Sequence, residues 1–202
     1  MIDYVKGDYG FWRQIDPAPI TYDEQYKSVQ KTTTEMSWLR LGVLISTVDK
    51  PLTELRDWWV CDVGSGNGKF AEEARKVFGH VCEYDLSGTS ISEEELYTRE
   101  WDAIFLTDVL EHYPDINDLF KIDFKYLFLS FPECPEVCDW RALEGWRHYR
   151  PNEHIWMLNS TGVQEWLKSR GYKIQYSGNP EDIIRTNPNV PVNISTIICS
   201  RT

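Results

Sequence analysis

The sequence predicts an α/β protein: a mostly parallel sheet with helices on both faces. Two observations carry that prediction. Short, compact apolar runs, the pattern of buried strands, alternate with segments of helical spacing from residue 57 to the end of the chain. The first of these runs, "DWWVCDV", passes straight into "GSGNG", with three glycines in five positions, and then into a helical face.

Each element follows from local pattern. The first twenty residues read as irregular and end in "DPAPI". Thr21 opens "TYDE", a capping box with Glu24. Tyr22, Tyr26, Val29, Met36, Leu39, Val43 and Leu44 follow at roughly helical spacing, broken by the polar "QKTTTE". They predict a long or broken helix over 22–47, before Pro51. A strand is expected over 57–63. Phe70, Ala71, Ala74, Val77 and Phe78 then share one helical face, which Gly79 ends. "HVCEYDL" reads as a second strand and "WDAIFLTDVL" as a third apolar run. "DINDLFKI" reads as a short helix and "FKYLFLSFP" as a fourth strand. "TGVQEWLKSRG" predicts a helix with Thr161 and Gln164 as capping box, Val163, Trp166 and Leu167 facing inward, and Gly171 closing it. "YKIQYS" and "VNISTIICS" supply the last strands. Only sixteen residues separate Asp85 from Asp102. That is too few for a helix and a strand, so the sheet is expected to be one strand short there. The expected organisation is an N-terminal helical cap over 1–55 and one compact domain over 56–202.

The 202 residues suffice for one domain with a sizeable core. A net charge of −11 argues against nucleic acid or an anionic membrane as the main partner, since both demand clustered Lys and Arg. A small-molecule partner is expected, and the oligomeric state is not fixed by the sequence. Five irregularly spaced cysteines, no apolar run of signal-peptide length at the start and none of membrane-spanning length elsewhere point to free thiols and a cytoplasmic setting. The sequons at Asn159 and Asn193 then read as chance matches, and Cys61, Cys82 and Cys199 as core residues.

A strand–glycine-loop–helix unit binds nucleotides through exposed main chain. The spacing here is Gly64-x-Gly66-x-Gly68 with Asp62 in front, not G-x-G-x-x-G. A carboxylate beside the loop is a poor neighbour for pyrophosphate and disfavours a nicotinamide dehydrogenase. It suits S-adenosylmethionine, whose sulfonium and ammonium outnumber its one carboxylate.

"DVGSGNG" resembles motif I of the class I S-adenosylmethionine-dependent methyltransferases. "EYDLS" is similar to the end of that family's second strand, "WDAIFLTDVLEHYPD" to its fourth-strand signature with V-L-E-H, and "HIWMLNSTGVQEWLKSRGYKI" to its later helix and strand. The resemblance covers about residues 57–199 and implies a Rossmann-like fold and methyl transfer from S-adenosylmethionine. It implies cofactor contacts at Asp62, Gly64, Ser65, Gly66, Gly68, Asp85, Leu86, Thr107 and Asp108, with Asp85 on the ribose. The alternative for Asp85 is the start of a turn, and for Asp108 a turn cap.

His112 is the first candidate for a general base, with His148 and His154 next, because an imidazole titrates near neutrality. Ordering of the loop by His112 is the structural alternative. The tract from Pro132 to Asn159 carries Trp140, Trp146 and Trp156 with Arg147, His148, Tyr149, Arg150 and His154. It is long enough to wall an acceptor pocket, or to pack on its own tryptophans. Cys134-x3-Cys138-x9-His148-x5-His154 has a zinc-like spacing, but its central gap is short and no metal ligand is assigned. The functional expectation is methylation of a small molecule. The alternatives are a non-catalytic S-adenosylmethionine-binding module and a protein methyltransferase.

Overall fold

The computed structural model describes residues 2–20, 32–88, 90–186 and 192–201. The chain begins with two short strands, β1 (Tyr4–Lys6) and β2 (Trp12–Gln14), where the sequence reads as irregular. Three-residue strands carry too little periodicity to register. They exist because Trp12 and Arg13 pair with Met157 and Trp156 across the fold. Helix α1 spans Thr34–Val48, with the Thr33 side chain accepting from the Met36 N–H at 3.2 Å. The first half of the expected helix, with its capping box at Thr21, lies outside the described residues.

Strand β3 (Trp59–Val63) leads through the glycine loop into α2 (Lys69–Ala74), then β4 (His80–Tyr84). Helix α3 (Glu93–Thr98) runs directly into β5 (Glu100–Thr107). No strand forms between β4 and β5 among the described residues, so β4 is a sheet edge, as the short spacing after Asp85 requires. A 3-10 turn at Ile116–Lys121 precedes β6 (Asp123–Pro132). The tract beyond it supplies β7 (Trp156–Met157). Helix α4 (Ser160–Ser169) and the strands β8 (Tyr172–Gly178) and β9 (Ile194–Arg201) finish the chain.

The main sheet has the order β4-β3-β5-β6-β9-β8. The first four strands are parallel, and β9 is antiparallel to both its neighbours. Adjacent residues alternate between its two faces, because side chains along a strand have a period of two. Cys61, Ile104, Leu127, Leu129 and Ile197 join Leu96, Val163, Trp166 and Leu167 on the face covered by α3 and α4. Val60, Ala103, Phe105, Phe128 and Ile198 join Leu41, Leu44, Val48, Phe70 and Ala74 on the face covered by α1 and α2. Both faces are therefore dry, which is why the strands read as continuous apolar runs. Helix α1 shares this second core with β3, so packing continues across residues 55 and 56.

The second sheet, β1-β2-β7, is antiparallel and closes over the Trp-rich tract. Tyr4, Trp12, Cys134, Trp140, Leu143 and Met157 form its small core. Gln14 exchanges two hydrogen bonds with Asn152, at 2.8 and 2.6 Å. The tract packs on its own aromatics, and β7 also anchors it to the main domain.

The start of α4 corrects the sequence reading. The N-cap is Asn159, whose side chain accepts from the Gly162 N–H at 2.8 Å, while Thr161 is exposed within the first turn. The sequon asparagine is a structural cap. Asn159→Ala is expected to lower the unfolding free energy by about 1 kcal/mol, read as a lower urea midpoint at unchanged slope.

Candidate active site

The sheet's strand order reverses between β3 and β5, and the carboxyl ends of these strands flank the crevice where open α/β sheets bind ligands. The glycine loop lines one side of it. Gly64, Gly66 and Gly68 all have positive φ, at 76°, 54° and 70°. At Gly64 a Cβ would lie 2.3 Å from Val109 Cγ2, and at Gly68 one would lie 2.9 Å from Glu83 Oε1. The loop thus lacks side chains partly because its own neighbours press on it. The Gly64 N–H donates to the Tyr84 carbonyl at 2.7 Å, fixing the loop to β4.

Asp85 stands where β4 ends. Its Oδ2 accepts from the Gly66 N–H at 2.9 Å and its Oδ1 from the Ser87 N–H at 2.9 Å, with a further bond from the Ser87 hydroxyl. Asp85 therefore begins a turn and also faces the loop. Beside it an open depression of about 370 Å³ is lined by Ser65, Gly66, Asn67, Gly68, Glu83, Gly88 and Ser90. Leu86 is 75% exposed. The Asn67 side chain donates to the Thr32 carbonyl at 3.1 Å, so the chain entering α1 reaches the loop.

The carboxylates at the strand ends are electrostatically unequal; Asp62 is buried and Asp108 partly so. Asp62 is 2% exposed and its Oδ2 has no hydrogen-bond partner. Burial, opposed in part by the charge of Arg40, pushes its pKa up to about 7. Asp108 follows Thr107 at the end of β5 with φ 56°, a left-handed conformation uncommon outside glycine. Burial raises its pKa, but the charges of Arg185 and Arg40 and the Arg185 hydrogen bond outweigh that and hold it below the usual carboxylate range. Arg185 Nη1 meets Asp108 Oδ2 at 2.6 Å and Glu181 Oε2 at 3.1 Å. Arg40 grips the buried Glu181 with two bonds, at 2.9 and 3.0 Å. Glu111 is buried with both oxygens unpartnered. Burial, then the nearby Asp108 charge, raises its pKa well above the ordinary value.

The three histidines nominated from the sequence come together beside Glu111. The rings of His112 and His154 meet edge to face with centroids 4.9 Å apart, and those of His148 and His154 lie 6.5 Å apart. His148 Nε2 contacts Asn193 Oδ1 at 2.9 Å, and Trp146 packs against its ring. Burial lowers all three pKa values, that of His154 to about 2, so all three are neutral at pH 7. The zinc-like series does not assemble: Cys134 is buried in the Trp-rich cluster, and Cys138 is exposed. Asn193, the second sequon residue, is 2% exposed and donates to the Arg185 carbonyl at 2.7 Å.

Sequence reasoning missed Arg40, Glu181 and Arg185. Arg40 alone left a signal, a charge inside the apolar stretch Leu39, Leu41, Val43 and Leu44. Arg185 and Glu181 lie in a polar connection with no motif.

Buried polar atoms in folded proteins are nearly always paired. The unpartnered buried side-chain atoms among the described residues include Arg40 Nη1, Asp62 Oδ2, Asp108 Oδ1 and both Glu111 oxygens. This concentration of acidic oxygens and one guanidinium fits a polar ligand bearing positive charge and a carboxylate. Bare loop main chain and the Asp85 oxygens fit its nucleoside part.

A family described as a methyltransferase domain matches residues 43–177. No curated relative matches the sequence. Among solved structures, magnesium protoporphyrin IX methyltransferase from Synechocystis PCC 6803, with bound S-adenosylmethionine, is similar with a TM-score of 0.55 at 15% identity, over 88% of this chain and 89% of that one. The 1,6-didemethyltoxoflavin-N1-methyltransferase of Burkholderia thailandensis, with its acceptor and S-adenosylhomocysteine bound, gives 0.54 at 16% identity over 94% and 96%. A methyltransferase from Archaeoglobus fulgidus gives 0.55 at 14% identity over 88% and 98%.

Gly64→Ala is expected to cost about 1–2 kcal/mol from its left-handed backbone alone, and more from the Val109 contact. Gly42→Ala, exposed within α1 with nothing within 4 Å of the added carbon, is expected to gain about 0.5–1 kcal/mol. Paired denaturant unfolding curves check both signs.

Proposed function

This chain belongs to the methyltransferase-domain family, and on that premise we propose that it transfers a methyl group from S-adenosylmethionine to a small-molecule acceptor. The observation that carries the reading is the Asp62–glycine-loop–Asp85 constellation at the sheet's switch point, faced by Asp108 and the histidine cluster.

S-adenosylmethionine supplies an electrophilic methyl carried on a sulfonium. In our reading Gly64, Ser65, Gly66 and Gly68 present main chain to its amino-acid and ribose parts. Asp62 takes the ammonium, and Asp85 takes the ribose hydroxyls. Leu86, exposed beside Asp85, offers apolar surface to the purine. Thr107 and Asp108 close the site toward the acceptor, with Asp108 held ionised by Arg185. The chain contributes to rate mainly by alignment and exclusion of water, effects that supply roughly 7–11 kcal/mol where geometry is good. An aromatic, poorly hydrated acceptor side favours a transition state in which charge disperses. Where the acceptor is a hydroxyl or amine, His112 is the proton acceptor we favour. It is neutral and the least buried of the three, whereas His154 is too weak a base and His148 is engaged by Asn193.

The acidic overall charge and the small-molecule acceptors of the similar magnesium protoporphyrin IX and 1,6-didemethyltoxoflavin methyltransferases support a metabolite over a macromolecule. Calorimetric titration with S-adenosylmethionine and S-adenosylhomocysteine tests the first step. Labelled-methyl transfer to a metabolite extract is the expected second result. Transfer to proteins alone would replace the small-molecule reading with a protein methyltransferase. Donor binding with no transfer to either would make the chain a binding module.

Two outcomes are specific to named residues. Asp62 carries a proton over much of the range between its free-acid value and about pH 7. A bound ammonium favours the ionised form, so donor binding at pH 6 should release a proton and weaken as pH falls. Calorimetry in buffers of different ionisation heat reads this, and Asp62→Asn should abolish the release. His112→Ala should lower turnover about 10²–10⁴-fold, the usual reach of general-base catalysis, while donor affinity stays within a few fold. Wild-type turnover in that variant would remove His112 from the mechanism.

A further inference from the structure

Glu111, His112 and His154 bring together one potential ligand atom each, and those atoms lie within 4.8 Å of one another. Glu111 and His112 sit on the turn after β5. His154 arrives from the Trp-rich tract 42 positions later, just ahead of β7. Chain connectivity alone does not bring them together; the tract is held down by β7 and by the Trp156 indole, which donates to the Tyr113 carbonyl at 2.8 Å.

The carboxylate is the telling member. Glu111 is buried, and neither oxygen has a hydrogen-bond partner. A buried carboxylate is tolerated when it is paired or binds a metal. The imidazoles are oriented for ligation. The His112 ring hydrogen-bonds to the backbone of Glu153, and the His154 ring to the backbone of His148. An imidazole that donates one N–H to a carbonyl keeps a lone pair on its other nitrogen. Metal-bound histidines are usually held in this way.

We infer that Glu111, His112 and His154 form a site for a divalent first-row transition cation at the acceptor edge of the sheet. Two imidazole nitrogens and one carboxylate match zinc, iron(II), cobalt or manganese, whereas magnesium and calcium prefer oxygen-only sets. Bond lengths of about 2.0–2.2 Å bring ligand atoms to about 3.4 Å in a tetrahedron, so small side-chain rotations close the set. Three protein ligands leave a coordination position open for water or for an oxygen of a bound molecule. Of the zinc-like sequence series only His154 takes part. Ligation and proton removal by His112 exclude each other: in the loaded protein His112 is a ligand.

The test uses the full chain stripped with a chelator, with no methyl donor or acceptor, so failure leaves the methyl-transfer reading standing. Zn²⁺ is titrated by calorimetry and Co²⁺ by its visible absorption. The expected result is one cation per chain, with affinity reduced at least tenfold in Glu111→Gln and in His154→Ala but kept in Cys138→Ser. Glu111→Gln keeps the size of the side chain and replaces a buried carboxyl whose oxygens have no partner, so its stripped form should unfold at the wild-type temperature or above while losing the stabilisation that Zn²⁺ gives the wild type. His154→Ala, assayed on protein with wild-type circular dichroism, is the second variant. No saturable binding would overturn the proposal. So would binding that survives both substitutions, or binding lost in Cys138→Ser.

Discussion

The close approach of the Gly64 main chain to Val109 is the constraint on which this site depends. An added carbon at Gly64 would nearly coincide with a Val109 methyl group, so the loop after β3 and the turn after β5 touch where the sheet's connectivity reverses direction. That contact fixes the separation of the two strand ends. Asp62 lies two residues before it on one strand, and Asp108 lies one residue before it on the other. Glu111 and His112 follow within the next turn. Asp62, Asp108, Glu111 and His112 all lie within three residues of this contact along the chain.

Electrostatics divides the carboxylates that the sheet places there. Asp62 and Glu111 are buried and Asp108 is partly so, and the cations decide what each becomes. Asp108 receives Arg185 at hydrogen-bond distance and stays ionised. Asp62 faces the more distant charge of Arg40, with no hydrogen bond to its Oδ2, and is protonated over much of the acidic range. Glu111 has no partner for either oxygen and a neighbouring anion in Asp108, so its charged form is disfavoured. The arginines are in turn bound to the buried Glu181, which ties α1 and the connection after β8 to the crevice. Such a network positions charge more than it stabilises the fold, since desolvation offsets much of the Coulomb gain.

The small antiparallel sheet gives the Trp-rich tract its place. Two three-residue strands could not persist alone. Strand β1 pairs with β2, β2 pairs with β7, and together they bury Trp12 and Tyr4 against Trp140. The tract's histidines then reach the strand ends from above. This accounts for the position of His148 and His154 beside His112, across more than thirty residues of sequence.

The sequence by itself determined the alternation of strands and helices, the loop that needs positive φ, the missing strand after Asp85 and the residue types at each strand end. These are local or periodic properties: continuous apolar runs, clustered glycines and the short spacing from Asp85 to Asp102 are visible in one dimension. It also named Asp62, Asp85 and Asp108 through motif resemblance, and the three histidines through the chemistry of an imidazole that titrates near neutrality. Only the tertiary structure decided which of them meet. Arg185 and Glu181 sit in a connection without pattern, β1 and β2 are too short for periodicity to register, and the cap of α4 was assigned to Thr161 where Asn159 serves. The gathering of Glu111, His112 and His154 depends on long-range pairing of β7 with β2, and pairing across that sequence distance is set by burial of the whole chain rather than by any residue's own preference.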